Sequence, residues 1–292
     1  MKITIGIPAY NEEENIGEVI TKLKEITDSI IVCDDGSTDL TRQISEKLGV
    51  TVIQHEKNMG YGAAINSIFK KCIEINSDIL VTFDADGQHR VEDVERILEP
   101  IIDKDADVVI GSRFLQEESE IPNYRKVGIK IITKVTNASL KDSLTDSQSG
   151  FRAYSKSVLN NITPSEFGMG ISTEILIKAS KNNLRITEVP IKVLYGPNTS
   201  THNPIKHGTS VLISTIKYTS IERPLYFYGI PSIVFLIVGC VFSYFSIQFY
   251  SEVGRLNTNL IFIAGGTILI GIILLISAIL LFTLVSVVRE KH

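Results

Sequence analysis

The first hundred residues alternate short apolar runs with amphipathic ones. Lys2 to Ile7 reads as a strand stopped by Pro8, and Asn15 to Ile26 as a helix with Ile16, Val19, Ile20 and Leu23 on one face. Ser29 to Cys33 predicts a second strand, Thr38 to Leu48 a helix opened by a Ser-Thr-Asp cap cluster, and Val50 to Gln54 a third strand. In Ala63 to Ile75 the apolar positions Ile65, Ile68, Phe69 and Cys72 fall at i, i+3, i+4 and i+7, which is helical spacing. Ile79 to Phe83 follows as a fourth strand, Val91 to Ile102 as a helix and Asp107 to Ile110 as a fifth strand. Strand and helix in strict alternation predict an α/β fold with a mainly parallel, Rossmann-like sheet and right-handed crossovers.

The pattern changes near residue 224. Pro224 to Ser251 contains no charged residue, and neither does Leu256 to Val288. Each run exceeds the roughly 20 apolar residues that cross a bilayer, so the expectation is a transmembrane hairpin joined by the polar loop Glu252 to Asn259. Tyr226, Phe227 and Tyr228 at one end, with Phe249 and Tyr250 at the other, fall where interfacial aromatic belts lie. The expected organisation is a catalytic domain over 1–203, an interfacial segment over 204–224 and the hairpin over 225–292.

Charge orients this arrangement. Lys206, Lys217 and Arg223 precede the first span, Arg289 and Lys291 follow the second, and the connecting loop has Arg255. The positive-inside tendency puts the large domain on the cytosolic face. No charged n-region with a short apolar core opens the chain, so export of that domain is not expected. Cys33, Cys72 and Cys240 have no metal or redox spacing and fit a reducing compartment. A net charge of -4, without a basic patch interleaved with aromatics, argues against a nucleic-acid partner.

Candidate chemistry begins where the fourth strand stops. Asp84 and Asp86 should leave its carboxyl end on the same side, because side chains alternate along a strand. Two carboxylates facing one way are costly without a cation, and oxygen donors suit Mg²⁺ or Mn²⁺ with positions left for a diphosphate. The competing reading has Asp86 cap the helix near Val91. Four more polar loops, Pro8 to Glu14, Asp34 to Asp39, Glu56 to Gly62 and Gly111 to Phe114, also follow strand ends, the ligand-binding edge of open α/β sheets. Asp34 and Asp35 can accept bonds from a base or a ribose, while Gly36 lets the backbone approach. Asn58, Gly60 and Gly62 form either an ordinary turn or a loop for close approach of a ligand. Arg113 offers a planar fork for phosphate oxygens or pairs with Asp84 or Asp86.

The loops IPAYNEEENI, DDGSTD, NMGYGAA, DADGQH, GSRF and DSQSGFRAY, in this order, resemble the inverting glycosyltransferases of the GT-A fold, in the branch of dolichol-phosphate mannosyltransferase. The resemblance covers about residues 1–195, and the hairpin is similar to the two-helix subtype. It implies that Pro8, Tyr10 and Glu12 line the nucleotide and Asp35 reads the base. Asp84, Asp86 and Gln88 then surround the metal and the donor diphosphate. Arg113 and Arg125 meet the acceptor phosphate, with Ser149 and Lys206 beside it. Asp86, Arg113 and Asp146 are the expected catalytic residues, and Asp146, Ser149 and Gly150 shape the site around the reacting carbon. The chain departs from the family after the EVPI strand, where a Tyr-Gly-Pro-Asn segment leaves Lys206, His202 and His207 as candidate cations.

Other stretches admit two readings. Ile121 to Leu140, basic and apolar by turns, is either a helix on a membrane surface or one packed on the sheet. Glu174 is either a base or the structural partner of a nearby cation. Ser210 to Ile221 reads as an interfacial helix leading into the bilayer. Gly239, Ser243, Gly265, Gly266 and Gly271 permit close helix packing and a homo-oligomer. The expected activity is metal-dependent, inverting transfer of one hexose from a GDP- or UDP-sugar to a polyprenyl or dolichyl phosphate. A processive polysaccharide synthase, a nucleotidyltransferase and a catalytically silent membrane scaffold are the rivals; the first usually carries Q-x-x-R-W, and this chain has no Trp, while the intact DADGQH argues against the third.

Overall fold

In the computed structural model seven strands form one sheet: β1 (Ile3–Ala9), β2 (Ile30–Asp34), β3 (Thr51–Gln54), β4 (Ile79–Thr82), β5 (Val108–Ser112), β6 (Arg152–Ser155) and β7 (Ile186–Pro190). Their spatial order is β3-β2-β1-β4-β6-β5-β7. The described residues are 1–115, 121, 123–193, 220 and 224–290, and the chain divides into two compact units, Met1–Thr215 and Ile216–His292.

The five strands expected from the alternating pattern are all present. β1 pairs in parallel with β2 and β4, β2 with β3, and β5 with β7. β6 is the exception: it runs antiparallel between β4 and β5. Its four residues are too few to show a period, and its direction follows from a return across the sheet. That direction matters, because the loop leading into β6 is delivered to the carboxyl edge of β4.

Two helix layers sandwich the sheet. Ile5, Ile7, Ile30, Val32, Ile79 and Val81 share one core with α1 (Ile16–Leu23) and α4 (Asp93–Ile102). On the other face α3 (Tyr61–Glu74) approaches so closely that a Cβ on Gly6 would lie 2.3 Å from Ile68 Cγ2. β1 continues through Pro8, which the sequence reading took as its stop. The reason is register: pairing with β4 ends at Gly6, so the amide that proline lacks would have had no ladder partner on that side.

α2 (Thr41–Lys47) starts three residues later than expected, and α5 (Asn123–Asn137) buries Ile132, Thr133 and Thr136 while exposing Val127, Ile131, Lys126, Lys130 and Lys134. Among the described residues, α6 (Lys156–Asn161) and α7 (Ile171–Lys181) are the remaining helices of the first unit.

The second unit pairs α8 (Ile230–Val253), entered through a π-helical turn at Leu225–Gly229, with α9 (Thr258–Glu290). The segments Leu225–Val253 and Thr258–Val285 have mean hydropathies of 2.2 and 3.1 and are long and apolar enough to cross a membrane. Only 17% and 11% of their most apolar windows are buried, unlike the core helix of a soluble protein. Gly239 and Gly271 let the pair close up, since a Cβ at either would lie 2.4 Å from Ile268 or 2.8 Å from Leu236. The Ser232 hydroxyl donates to the Gly271 carbonyl at 2.9 Å. Apart from Ser220, the interfacial helix expected over 210–221 lies outside the described residues, as do Lys206, His202 and His207.

Candidate active site

Loops 10–15 and 35–41 are stitched side by side at the carboxyl edge. Asn11 N donates to Ser37 Oγ at 2.9 Å, Thr38 N to Asn11 Oδ1 at 2.9 Å, Glu13 N to Asp39 Oδ2 at 3.1 Å and Glu12 N to Thr41 Oγ1 at 2.8 Å. Ser37, Thr38 and Asp39 were expected to cap α2; Ser37 and Thr38 are committed to the neighbouring loop, whereas Asp39 serves both, its Oδ2 taking Glu13 N and its Oδ1 accepting from Thr41 N at 3.0 Å at the start of α2. Tyr10 and Glu12 therefore sit half-buried on a fixed rim, with Pro8 buried in β1 behind them.

The end of β4 is packed as tightly. Phe83 is buried with its ring centroid 5.0 Å from Phe151 and 5.8 Å from His89. Asp84 beyond it accepts from His89 Nε2 at 3.2 Å and, at 3.4 Å, from the Tyr61 hydroxyl. A Cβ on Gly150 would lie 2.7 Å from both Asp84 Oδ2 and the Tyr61 hydroxyl, so a larger residue there would have to displace these two side-chain tips. Asp86 Oδ1 accepts from Gln88 N at 3.0 Å across Gly87, whose φ is +70°. This closes a local turn, and α4 begins later, at Asp93, so Asp86 does not cap it.

The electrostatics separate the two carboxyls. Burial raises Asp84, but the His89 imidazole, the Arg113 charge and the Tyr61 hydroxyl bring it below the usual carboxylate range. Asp86 is pushed up to about 6, first by burial and then by the Asp84 charge. Glu12 is also raised, by burial and by the charges of Asp86, Asp84 and Asp39, against a hydrogen bond from Asn15. Such uncompensated negative charge, offered by hard oxygen donors, fits a divalent cation. Among the described residues no three His, Cys, Asp or Glu side chains form a closed metal cluster. Asp84 and Asp86 could supply only part of a coordination shell, an arrangement that suits Mg²⁺ where phosphates and water complete it. His89 Nδ1 is buried without a hydrogen-bond partner.

Past β5, Arg113 does not reach for Asp84 or Asp86. It grips Asp146, Nε to Oδ2 at 2.6 Å and Nη2 to Oδ1 at 2.9 Å. Burial alone would raise the Asp146 carboxyl; the Arg113 charge and bonds from Arg113 and Gln148 N hold it below the ordinary range. The Asp146 side chain, expected among the catalytic residues that shape the site, is 0% exposed and meets its surroundings through Arg113. Glu188 on β7 fixes the same loop, accepting from Thr145 N at 2.7 Å and Asp146 N at 2.8 Å. Arg152, 1% exposed, donates to the carbonyls of Ser149, Ser147 and Ser172 at 2.7, 2.8 and 2.9 Å. Ser149 is buried with its hydroxyl unpartnered. Arg125 is half-buried in α5, and among the described residues no hydrogen bond or ion pair joins it to this group.

Asp35 is occupied by its own chain. Its carboxylate accepts from His55 Nδ1 at 2.6 Å, Met59 N at 3.0 Å and Gly60 N at 2.8 Å. The glycines of NMGYG make room for protein backbone: a Cβ on Gly60 would lie 2.6 Å from Phe167 O, and one on Gly62 2.3 Å from Glu166 O. Glu174, buried, pairs with Lys178 Nζ at 2.7 Å, which is the structural alternative.

Sequence reasoning assigned no role to His55, Tyr61, His89, Arg152 or Glu188. Two carried a signal: His89 closes the same motif as Asp86, and Glu188 interrupts an apolar strand. Tyr61 and His55 become neighbours of the aspartates through tertiary packing alone.

Residues 4–163 match the model of glycosyl transferase family 2. The UDP-N-acetylglucosamine–dolichyl-phosphate N-acetylglucosaminyltransferase of Methanococcus voltae is 39% identical over 233 residues, covering 72% of this chain and 91% of that protein. The dolichyl-phosphate hexose transferase of Haloferax volcanii is 29% identical, covering 76% and 95%. The fold is shared with glucosyl-3-phosphoglycerate synthase from Mycobacterium tuberculosis, solved with Mn²⁺, UDP-glucose and phosphoglyceric acid, at a TM-score of 0.59 and 21% identity over 75% of this chain and 80% of that one.

Proposed function

Since the chain belongs to glycosyl transferase family 2, we propose that it moves one hexose from a GDP- or UDP-linked donor to a polyprenyl or dolichyl phosphate in a membrane. The observation that carries this reading is the paired Asp84 and Asp86 at the carboxyl edge, with Arg113 on the same edge, in a chain with two helices apolar enough to cross a bilayer. The catalytic part is 1–203, the juxtamembrane part 204–224 and the anchor 225–292.

Asp84 and Asp86, with Gln88 beside them, would hold Mg²⁺ or Mn²⁺, which when bound supplies a Lewis acid for the departing diphosphate. Pro8, Tyr10 and Glu12 border the nucleotide, and Asp35 shapes the base pocket through the 59–60 backbone that it fixes. The Arg113 fork, aimed by Asp146, meets the acceptor phosphate together with the Ser149 hydroxyl, Arg125 and Lys206.

A lipid monophosphate has a second pKa near 6, so at neutral pH the attacking oxygen is already largely ionised and needs no strong base. That oxygen bonds to the anomeric carbon as the bond to the donor diphosphate breaks, the nucleoside diphosphate takes the electron pair, and the anomer inverts. The Lys and Arg residues flanking the spans support a catalytic unit on the cytosolic face, where a bilayer-bound acceptor would meet it in two dimensions.

A panel of radiolabelled nucleotide sugars, incubated with polyprenyl phosphate and the purified full chain, tests the reading. Label passing into organic extract with release of nucleoside diphosphate is expected. Release of pyrophosphate would favour a nucleotidyltransferase, and no lipid label from any donor would remove the proposal.

A further inference from the structure

Glu174 is too fully engaged to serve as a base. It lies in the first turn of α7, 1% exposed, and its carboxylate accepts from Ser165 N at 3.0 Å, Glu166 N at 2.8 Å, the Ser165 hydroxyl and Lys178 Nζ. Lys178 Nζ also donates to Thr163 O at 2.7 Å. A carboxylate offers about four acceptor positions, so these donors leave none for a substrate proton. Burial pushes this carboxyl up, but the Lys178, Ser165 and Glu166 bonds outweigh it and keep the group ionised.

What those bonds hold is the turn over 163–168, and that turn presses on the donor-side loop. Phe167 O accepts from Ala63 N at 3.2 Å, at the start of α3. A Cβ on Gly62 would lie within 2.3 Å of Glu166 O and 2.6 Å of Gly168 O. From the opposite side Asp35 takes the Met59 and Gly60 amides. The backbone of 59–63 is therefore clamped between Asp35 and a turn that exists in this shape because Glu174 ties its amides. Nothing in the local sequence of 57–63 would hold it there, since Gly60 has a φ of +100° and the loop contains two glycines.

The same turn of α7 also touches the opposite half of the site. Ser172 O accepts from Arg152 Nη1 at 2.9 Å, and Thr173 Oγ1 from Gln148 Nε2 at 3.3 Å, both within or beside DSQSG. One helical turn thus braces both loops, and the donor side hangs on Glu174.

We propose that Glu174 is a positioning residue for the nucleotide-sugar donor, acting through the 163–168 turn on the 59–63 backbone. The donor assignment rests on the functional reading above, whereas the mechanical link does not. Loss of a hydrogen bond to a charged group corresponds to a factor of about ten.

Hydrogen exchange of the full chain in detergent, followed by mass spectrometry, reads the link without any ligand. Glu174→Gln should speed exchange of the 59–64 amides by about tenfold while β4 and β1 amides keep their protection. In transfer assays the same variant should raise the donor KM about tenfold, with kcat and the acceptor KM within about threefold of wild type. Gly62→Ala attacks the contact from the other side with Glu174 intact, and should give the same two signatures. Unchanged exchange at 59–64 in both variants overturns the inference, whether or not a nucleotide sugar binds. A kcat loss of about a hundredfold at unchanged donor KM in Glu174→Gln, with the acidic limb of the pH profile gone, would instead make Glu174 a base. Absence of transfer by the wild-type chain would fall on the functional reading alone and leave the exchange result to decide the link.

Discussion

Arg113 and Asp146 face each other as a two-pronged pair, with Nε to Oδ2 at 2.6 Å and Nη2 to Oδ1 at 2.9 Å, and the aspartate side chain is 0% exposed. Removing one partner strands a buried charge, which costs about 3–5 kcal/mol. Asp146→Asn should therefore lower stability in urea by about that amount and cut transfer by about a hundredfold, since the fork loses its aim. Arg113→Lys keeps the charge but loses the planar geometry, and should lose comparable activity with less stability. Equal activity of either variant and wild type would contradict the positioning role.

The same pair sets a pH dependence. Asp146 has a folded-state pKa below its unfolded value, so its contribution is fully present above the ordinary carboxylate pKa of about 3.9 and is lost as pH falls through the depressed value. Thermal scans should show no loss from this pair between neutrality and pH 5 and a growing loss below about pH 4. Asp146→Asn should flatten that acid limb.

Asp84 and Asp86 repel each other while no cation lies between them. Asp86→Asn should then raise the midpoint of thermal unfolding in chelator by a few degrees, about what 1 kcal/mol produces in a unit of this size. Mn²⁺ at about a hundredfold above its Kd should stabilise wild type by about 2.7 kcal/mol and leave the variant unmoved. A midpoint that rises equally in both with Mn²⁺ would place the ion elsewhere.

A methyl group at Gly150 would lie 2.7 Å from the Asp84 carboxylate and the Tyr61 hydroxyl. Gly150→Ala should displace the Asp84 carboxylate, weaken Mn²⁺ binding by about tenfold and reduce transfer. Titration of Mn²⁺ by calorimetry checks it, with unchanged affinity as the contrary result.

The turn at Gly254 and Arg255 separates the two apolar helices. A cysteine at Arg255, in a chain whose Cys240 is replaced by serine, should react with an impermeant maleimide only from the side opposite the catalytic unit. Labelling from the catalytic side would reverse the orientation or remove the crossing.

The sheet and the polar loops at its carboxyl edge were legible because they repeat local rules: apolar runs ending in polar loops, five times over. The short antiparallel β6 obeys no such rule, and with it the approach of Gly150 to Asp84 was hidden. The residues of the motifs were recognisable as chemistry, but their partners were not. Arg113 was expected to face phosphate oxygens or else to pair with Asp84 or Asp86, and its protein partner is Asp146, which the antiparallel return brings to the end of β5. Gly60 and Gly62 read as an ordinary turn or as room for a ligand, and they make room for the 166–168 backbone, a contact more than a hundred residues away in sequence. Pairings of this kind belong to tertiary packing, where single-residue spacing carries no signal.

The central claim is that a cation held by Asp84 and Asp86 is needed to move a hexose onto a lipid phosphate. Its most direct test is the initial rate at which label from a nucleotide sugar enters polyprenyl phosphate, before exhaustive chelation of the purified chain, after it, and after Mn²⁺ is restored. The account predicts a rate that disappears with chelation and returns with the ion; an undiminished rate in the chelated sample would contradict it.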